Sequence, residues 1–465
     1  MFFKEDTICA IATAMIDAGI GIIRISGEKA LSIASKLYVD AKGNHSLLNK
    51  DSHTISYGFI VDENENKVDE VMVSLMKAPK SYTKEDVVEI NSHGGRLIME
   101  SILNLLIKNG CRLAEPGEFT KRAFLNGRID LTRAEAVMDL IHAQNEFSMK
   151  NSERQLGGIL FNKIEEIRKE ILYEMAYIES AIDDPENYDL TGYDERLKEK
   201  NEDWISRLNY LIGTSEEGII RKEGIKTVII GKPNAGKSSL LNKLAGEEKA
   251  IVTDIEGTTR DIIEETIRLD DIILRVLDTA GIRDTDDKVE KIGVERAVQS
   301  AQSADLILYI IDSTDDEISN DERISEIISN NHAIVLLNKN DISDRISILE
   351  NDIHKIYGND IPVIKTSMVD DTGIEDLKKI ITDMFFNGNI APKEEIYITN
   401  IRQKEALLNT CDSLKKVQSS IEAAMSEDFY SIDLMNAYSF LGEIIGQEVD
   451  DDLVEEIFSK FCMGK

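Results

Sequence analysis

The eight residues Gly231-Lys232-Pro233-Asn234-Ala235-Gly236-Lys237-Ser238 restrict what this chain can fold into more than any other stretch. They follow the apolar run Val228-Ile229-Ile230 and lead into Ser239-Leu240-Leu241, the start of a helical pattern. G-x-x-x-x-G-K-[ST] between a strand and a helix is a phosphate-binding loop. Its backbone N–H groups converge on an anion, Lys237 reaches the outer phosphates, and Ser238 can ligate Mg²⁺. An α/β domain must surround it.

The downstream sequence says which nucleotide. Thr253-Asp254-Ile255-Glu256-Gly257-Thr258-Thr259-Arg260-Asp261 supplies threonines that can close on Mg²⁺ and a γ-phosphate, as a switch segment does. The strand-like run Ile272–Leu277 ends in Asp278-Thr279-Ala280-Gly281, where Asp278 can hold Mg²⁺ through water and the Gly281 N–H can meet the γ-phosphate. Another strand pattern, Leu306–Asp312, is followed by Ala333–Leu337 running into Asn338-Lys339-Asn340-Asp341. The Asp341 carboxylate can accept from both N–H groups of guanine's Watson–Crick edge, which adenine lacks, so it selects GTP. Ser367-Met368, after Val363–Thr366, offers backbone N–H groups to the guanine carbonyl. All five elements occur in order at strand ends. One departure matters: Ile282 follows Gly281 where many GTPases carry a Gln that orients water. Asp284, Asp286, Asp287 and Glu290 are the candidates to replace it. Asn234 reads equally as a turn residue or as a ligand of a monovalent cation.

The chain has 465 residues, enough for two to four domains. Its 54 Lys and Arg against 87 Asp and Glu leave a net charge of −33. That argues against a large sequence-independent nucleic-acid footprint, which needs clustered cations, so an RNA substrate would require a local basic patch or a partner. No apolar run reaches membrane-spanning length. Lys4-Glu5-Asp6 interrupts any signal-peptide core, and the four cysteines, Cys9, Cys111, Cys411 and Cys462, form no C-x-x-C pair. Reduced thiols in a cytoplasmic protein without stable membrane association are expected.

Residues 1–127 read as an α+β module. Strands are expected at Ile20–Ile25, Thr54–Val61, Val68–Met76 and Val87–Ile90, and helices at Glu28–Leu37 and Ile98–Ile107. Arg24 and Glu89 interrupt apolar strands; residue chemistry alone favours charges at strand ends or on solvated faces, with the walls of a polar pocket as the alternative. Residues 128–222 and 389–465 are helical. Thr132-Arg133-Ala134-Glu135 has the form of a capping box, and continuous helices are expected over Leu156–Ile182, Glu195–Leu211, Arg402–Met425 and Ser431–Lys460. The nucleotide domain, 223–388, would be inserted between these helical parts. Cys462 is read as a small buried hydrophobe, with a reactive thiol as the alternative.

With these segments in view the chain resembles the MnmE/TrmE-type tRNA modification GTPases over essentially its whole length. Carriers of the resemblance are Gly21–Gly27, Pro116–Phe119, Arg122–Asn126, Arg133–Ala136, Gly231–Ser238, Thr253–Asp261 and the ending Cys462-Met463-Gly464-Lys465. It implies a folate-binding and dimerising α+β domain, a split helical domain and an inserted Ras-like GTPase domain. It further implies a K⁺-activated, dimerisation-dependent GTPase working with an FAD- and NADH-dependent partner of the MnmG/GidA type, as a heterotetramer. The pair would add an aminomethyl or carboxymethylaminomethyl group to C5 of the wobble uridine of certain tRNAs, using methylene-tetrahydrofolate. By motif match Arg24, Glu89, Arg128 and Lys465 would hold methylene- or formyl-tetrahydrofolate, with Cys462 nearby. Asn234, Thr253, Ile255 and Thr258 would ligate K⁺, Ser238 and Thr259 Mg²⁺, and Glu290 would orient the attacking water. The alternative, a stand-alone ribosome-assembly or signalling GTPase, gives no reason for the first 127 residues or for Cys462.

Overall fold

A computed structural model describes residues 6–184, 186–188, 190–247, 265–277, 301, 304–315, 318, 322–386, 396–449, 451–462 and 464. They divide into two compact units. One comprises 1–141, 154–205 and 406–465, the other 142–153 and 206–405.

In the first unit seven strands form one sheet: β1 (Thr7–Ile11), β2 (Ala18–Ser26), β3 (Tyr38–Asp40), β4 (Thr54–Val61), β5 (Lys67–Met76), β6 (Val87–Gly94) and β7 (Cys111–Leu113). The spatial order is β3-β4-β5-β6-β2-β1-β7, antiparallel except for the β1–β7 pair. Alternation sets the faces: Val71, Val73 and Leu75 of β5 are buried beside Ile23 and Ile25 of β2, under the helices Ala30–Leu37 and Arg96–Lys108. Register places Arg24 directly opposite Glu89 across β2 and β6.

The helices of this unit differ from expectation in three places. Leu156–Ile182 is not continuous: one helix ends at Leu156 and the next runs Ile159–Asp183, with Gly158 at φ +82° between them. A Cβ at Gly158 would overlap the Arg133 guanidinium, so the break leaves room for that side chain. Ser431–Lys460 likewise divides into Glu427–Ile445 and Asp451–Ser459, with Gly446 at φ +82° ending the first and no space there for a Cβ beside Phe124. The expected capping box is replaced by Asp130. Its Oδ1 accepts from the backbone N–H groups of Thr132 and Arg133 at 3.0 and 3.2 Å, placing Thr132 inside the helix Leu131–Ile141.

The second unit is built on six strands: β8 (Ile225–Gly231), β9 (Glu265–Leu269), β10 (Ile272–Val276), β11 (Leu306–Asp312), β12 (His332–Asn338) and β13 (Val363–Lys365). The order β13-β12-β11-β8-β10-β9 is parallel but for edge strand β9. Strands β8, β11 and β12 are nearly continuous apolar runs, as strands buried on both faces require. Residues 142–153 are tied to this unit by reciprocal amide bonds: Asn151 Nδ2 donates to Tyr397 O (3.1 Å) and Tyr397 N donates to Asn151 Oδ1 (3.0 Å). Asn145 Nδ2 donates to Arg221 O at 2.8 Å. Among the described residues no helix is long and apolar enough to cross a membrane.

Candidate functional site

The loop after β8 sits where the strand order reverses, between β10 on one side and β11 on the other, the crevice in which open α/β sheets bind ligands. Two glycines make the loop possible. Gly231, at φ +155°, leaves no space for a Cβ beside Ile310 O; Gly236, at φ +107°, leaves none beside Asn338 Nδ2. Asn234 is exposed and left-handed (φ +61°), a turn conformation that leaves its side chain open to a ligand. Ala235 is buried, Ser239 exposed, and Ser238 half-buried in the first turn of the helix Lys237–Glu247. Lys237 Nζ donates to Gly231 O (2.6 Å) and Lys232 O (2.8 Å), and burial pulls its ammonium pKa below the ordinary value. A half-buried ammonium among carbonyls is a ready donor to a phosphate, which would replace those acceptors with full negative charge.

The base site adjoins the loop. Asn338, 3% exposed, donates from Nδ2 to Ala235 O at 2.8 Å and so ties the end of β12 to the phosphate loop. Lys339 is left-handed (φ +63°) and ion-paired with Asp312. Burial pushes the Asp312 carboxyl up, but hydrogen bonds from Lys339 and Thr314 outweigh it and hold the pKa below the usual range. Asp341 is exposed and open to a ligand, whereas Ser367 is fully buried and Met368 packs on the core of this unit. Three buried side-chain oxygens here, Ser313 Oγ, Asn338 Oδ1 and Thr366 Oγ1, have no hydrogen-bond partner among the described residues. Orphaned polar atoms cost stability and persist where a ligand or its ordered water completes them, so these residues fit a nucleotide base. The expected switch and water-orienting residues, Thr253, Ile255, Thr258, Thr259, Asp278, Thr279, Ala280, Gly281 and Glu290, lie outside the described residues.

A second constellation lies in the first unit. Arg24 Nε donates to Glu89 Oε1 at 2.8 Å and Arg24 Nη1 to Gly464 O at 2.9 Å, joining residues 440 positions apart. The guanidinium carbon is 5.7 Å from the Tyr82 ring centroid and 5.6 Å from that of Phe119. Arg128 stands 4.7 Å from the centroid of the same Tyr82 ring. Arg24, Glu89 and Arg128 are therefore brought to one place, with Arg24 and Glu89 half-buried and paired with each other. Lys465 lies outside the described residues; its neighbour Gly464 is buried, with no space for a Cβ beside Ile11 O and Ala12. Cys462 is exposed, not the small buried hydrophobe expected of it: Phe461 takes the buried position beside Leu131 and Phe458, and the Cys462 carbonyl accepts from Gly117 N at 3.3 Å. The other three cysteines are buried and form no disulfide among the described residues, and burial pushes the Cys411 thiol up to about 11. Tyr82 was invisible in sequence, since its partners are 58 and 46 positions away. A Tyr between two lysine-bearing turns carries no pattern of its own.

Residues 131–462 match the family model described as the MnmE helical domain, and residues 7–128 that of the GTP-binding protein TrmE N-terminus. The first match spans the nucleotide-binding unit as well, as an insertion between two helical segments requires. The chain is 53% identical over 462 residues to the tRNA modification GTPase MnmE of Lachnoclostridium phytofermentans, covering 99% of this chain and 100% of the relative. To the tRNA modification GTPases MnmE of Acetivibrio thermocellus and Clostridioides difficile it is 48% and 47% identical, over the full length of each.

Proposed function

The chain belongs to the MnmE/TrmE family of tRNA modification GTPases, a GTP hydrolase acting in tRNA modification, and from that premise we propose how its parts divide the work. Residues 223–388 bind GTP and Mg²⁺, with Gly231–Ser239 around the phosphates and Asn338, Lys339, Asp341, Ser367 and Met368 around guanine. Ser238 and Thr259 ligate Mg²⁺; Asn234, Thr253, Ile255 and Thr258 ligate K⁺. That cation supplies the positive charge an arginine finger would bring. Glu290 orients the attacking water in place of the missing Gln at Ile282. Dimerisation of the GTPase domains completes the site.

Residues 1–127 hold the protein as a homodimer and bind a tetrahydrofolate through Arg24, Glu89, Arg128 and Lys465. The folate, when bound, supplies the one-carbon unit. Arg24, fixed by Glu89 and by the Gly464 carbonyl, orients it; Arg128 offers its guanidinium to an anionic group. Cys462, exposed and two positions before Gly464, is the candidate nucleophile. With an FAD- and NADH-dependent partner of the MnmG/GidA type, the protein installs an aminomethyl or carboxymethylaminomethyl group at C5 of the wobble uridine.

The observation that carries the folate assignment is the convergence of Arg24, Glu89, Gly464, Tyr82 and Arg128. A paired cation, an aromatic ring and a guanidinium suit a ligand with a heterocycle and a carboxylate. Mass spectrometry of tRNA nucleosides from cells lacking this protein tests the whole proposal. Wobble uridines without the C5 substituent are expected, and unchanged ones refute it.

A further inference from the structure

We infer that Tyr82 is a positioning residue of this pocket: its ring holds the Arg128 guanidinium ready for the anionic part of the ligand. The inference rests on the folate reading of the Arg24–Glu89 site and goes one residue beyond it.

The two arginines beside Tyr82 are held very differently. Arg24 is bonded to Glu89 and to the Gly464 carbonyl and has Phe119 on another side. Arg128 is exposed, and among the described residues its guanidinium meets no carboxylate and no carbonyl; the Tyr82 ring, 4.7 Å away, is its contact. A guanidinium on a tyrosine face is attracted by the ring quadrupole while its N–H edge stays free. The ring thus orders Arg128 without consuming the donors a ligand needs.

Tyr82 is itself fixed. Its hydroxyl is 2.9 Å from Thr120 Oγ1, which is fully buried. Next to it, Thr83 Oγ1 is 2.7 Å from Ser26 Oγ, and Glu85 accepts from Ser26 at 2.7 Å and from the buried Arg122 at 3.1 Å. Two clasps then join this loop to the turn carrying Arg128. Asn126 Nδ2 donates to Thr83 O at 2.6 Å, and Lys84 Nζ donates to Asn126 O and Gly127 O at 2.9 Å each. Ring and guanidinium are therefore brought together by the backbone on both sides.

If Tyr82 acts through Arg128, the two residues must be energetically coupled in ligand binding. The test is the affinity of the full-length protein for 5-formyl-tetrahydrofolate, by titration calorimetry, in Tyr82→Ala, Arg128→Ala and the double variant. Each single change is expected to raise Kd by about 3- to 30-fold, the range of a partly desolvated cation–π contact. The double variant should be no weaker than the worse single one. Tyr82→Phe, which keeps the ring, should bind within about 2-fold of the parent. Tyr82→Leu, which keeps apolar bulk but has no π face, should match Tyr82→Ala. Additive losses, an unchanged Tyr82→Ala, or full rescue by Tyr82→Leu each overturn the inference. If the parent binds and Arg24→Ala does not, a failure at Tyr82 concerns this inference alone. If the parent shows no saturable binding, the folate reading falls and this inference with it.

Discussion

Removing the Arg122 guanidinium should destabilise the first unit, and the deficit should shrink in acid. Its side chain is 4% exposed and lies among three carboxylates: Asp6 Oδ1 at 2.8 Å, Glu118 Oε1 at 2.9 Å and Glu85 Oε1 at 3.1 Å. Arg112 is the second cation of the cluster, bonded to Asp6 and Glu118 at 2.6 Å each but not to Glu85. Three anions and two cations leave a charge of about −1; Arg122→Ala makes it about −2, in a site with little water to screen it. Breaking a buried pair by removing one partner costs about 3–5 kcal/mol. That corresponds to about two to nearly four orders of magnitude in opening equilibrium. Hydrogen exchange of the full chain reads it directly, in Thr7–Ile11 and Glu118–Leu125, the two elements the cluster joins. The pH dependence follows from sign. Burial alone pushes the Asp6 and Glu118 carboxyls up, but the arginines overcome it and hold both below their ordinary pKa. Their contribution is therefore present above about pH 4–4.5, the unfolded values, and lost as pH falls through the lower folded ones. In Arg122→Ala the surviving carboxylates repel and are easier to protonate, so the gap between variant and parent should narrow between about pH 7 and pH 4. Unchanged exchange in both elements at neutral pH, or a gap that widens in acid, would refute this account.

Three further outcomes concern the nucleotide unit. Gly236→Ala must push against Asn338 Nδ2 and adopt φ +107°, so nucleotide affinity measured with a fluorescent GTP analogue should fall by at least about 100-fold. Asp341→Ala removes an exposed carboxylate and should leave the fold intact, while the preference for GTP over ATP falls by about 10²–10⁴-fold in competition binding. GTP hydrolysis should be faster in K⁺ than in Na⁺ at equal ionic strength, with the difference gone in Asn234→Ala; equal parental rates in the two salts would remove K⁺ from the proposal.

Legibility in the sequence followed how far each role depends on local chain. The phosphate loop could be read because eight consecutive residues perform one task, and its two glycines are at positions where a Cβ would overlap Ile310 or Asn338. Strand faces were readable because their period is local; Thr54–Val61 and Leu306–Asp312 have the expected limits. The helix breaks at Gly158 and Gly446 were not. Each glycine follows an intact helical period, and its reason, the Arg133 or Phe124 side chain filling the Cβ position, comes from elsewhere in the chain. Thr132 and Asp130 both suit an N-cap, and only the observed backbone chose Asp130. The pocket was half legible. Arg24 and Glu89 announced themselves as charges in apolar strands, but the ring that adjoins both arginines did not.

The acidity of the chain and the make-up of this pocket together bear on how tRNA is handled. Phosphate backbones are held by several unpaired cations, each releasing a counterion. The pocket has two arginines, and Glu89 neutralises one of them at 2.8 Å. Lys84, two positions from Tyr82, spends its ammonium on the Asn126 and Gly127 carbonyls. One guanidinium, Arg128, is left without an anion among the described residues. Among the described residues this one ordered, unpaired cation beside an aromatic ring matches a small ligand with an anionic end, and is far too little to grip a nucleic acid in a molecule of net charge −33. On the proposed reading, the cations that bring a wobble uridine to this pocket must come from outside it, from a basic patch elsewhere or from a partner. The pocket itself needs only to hold the carbon donor, which on that reading Arg24, Glu89, Arg128 and Lys465 do together.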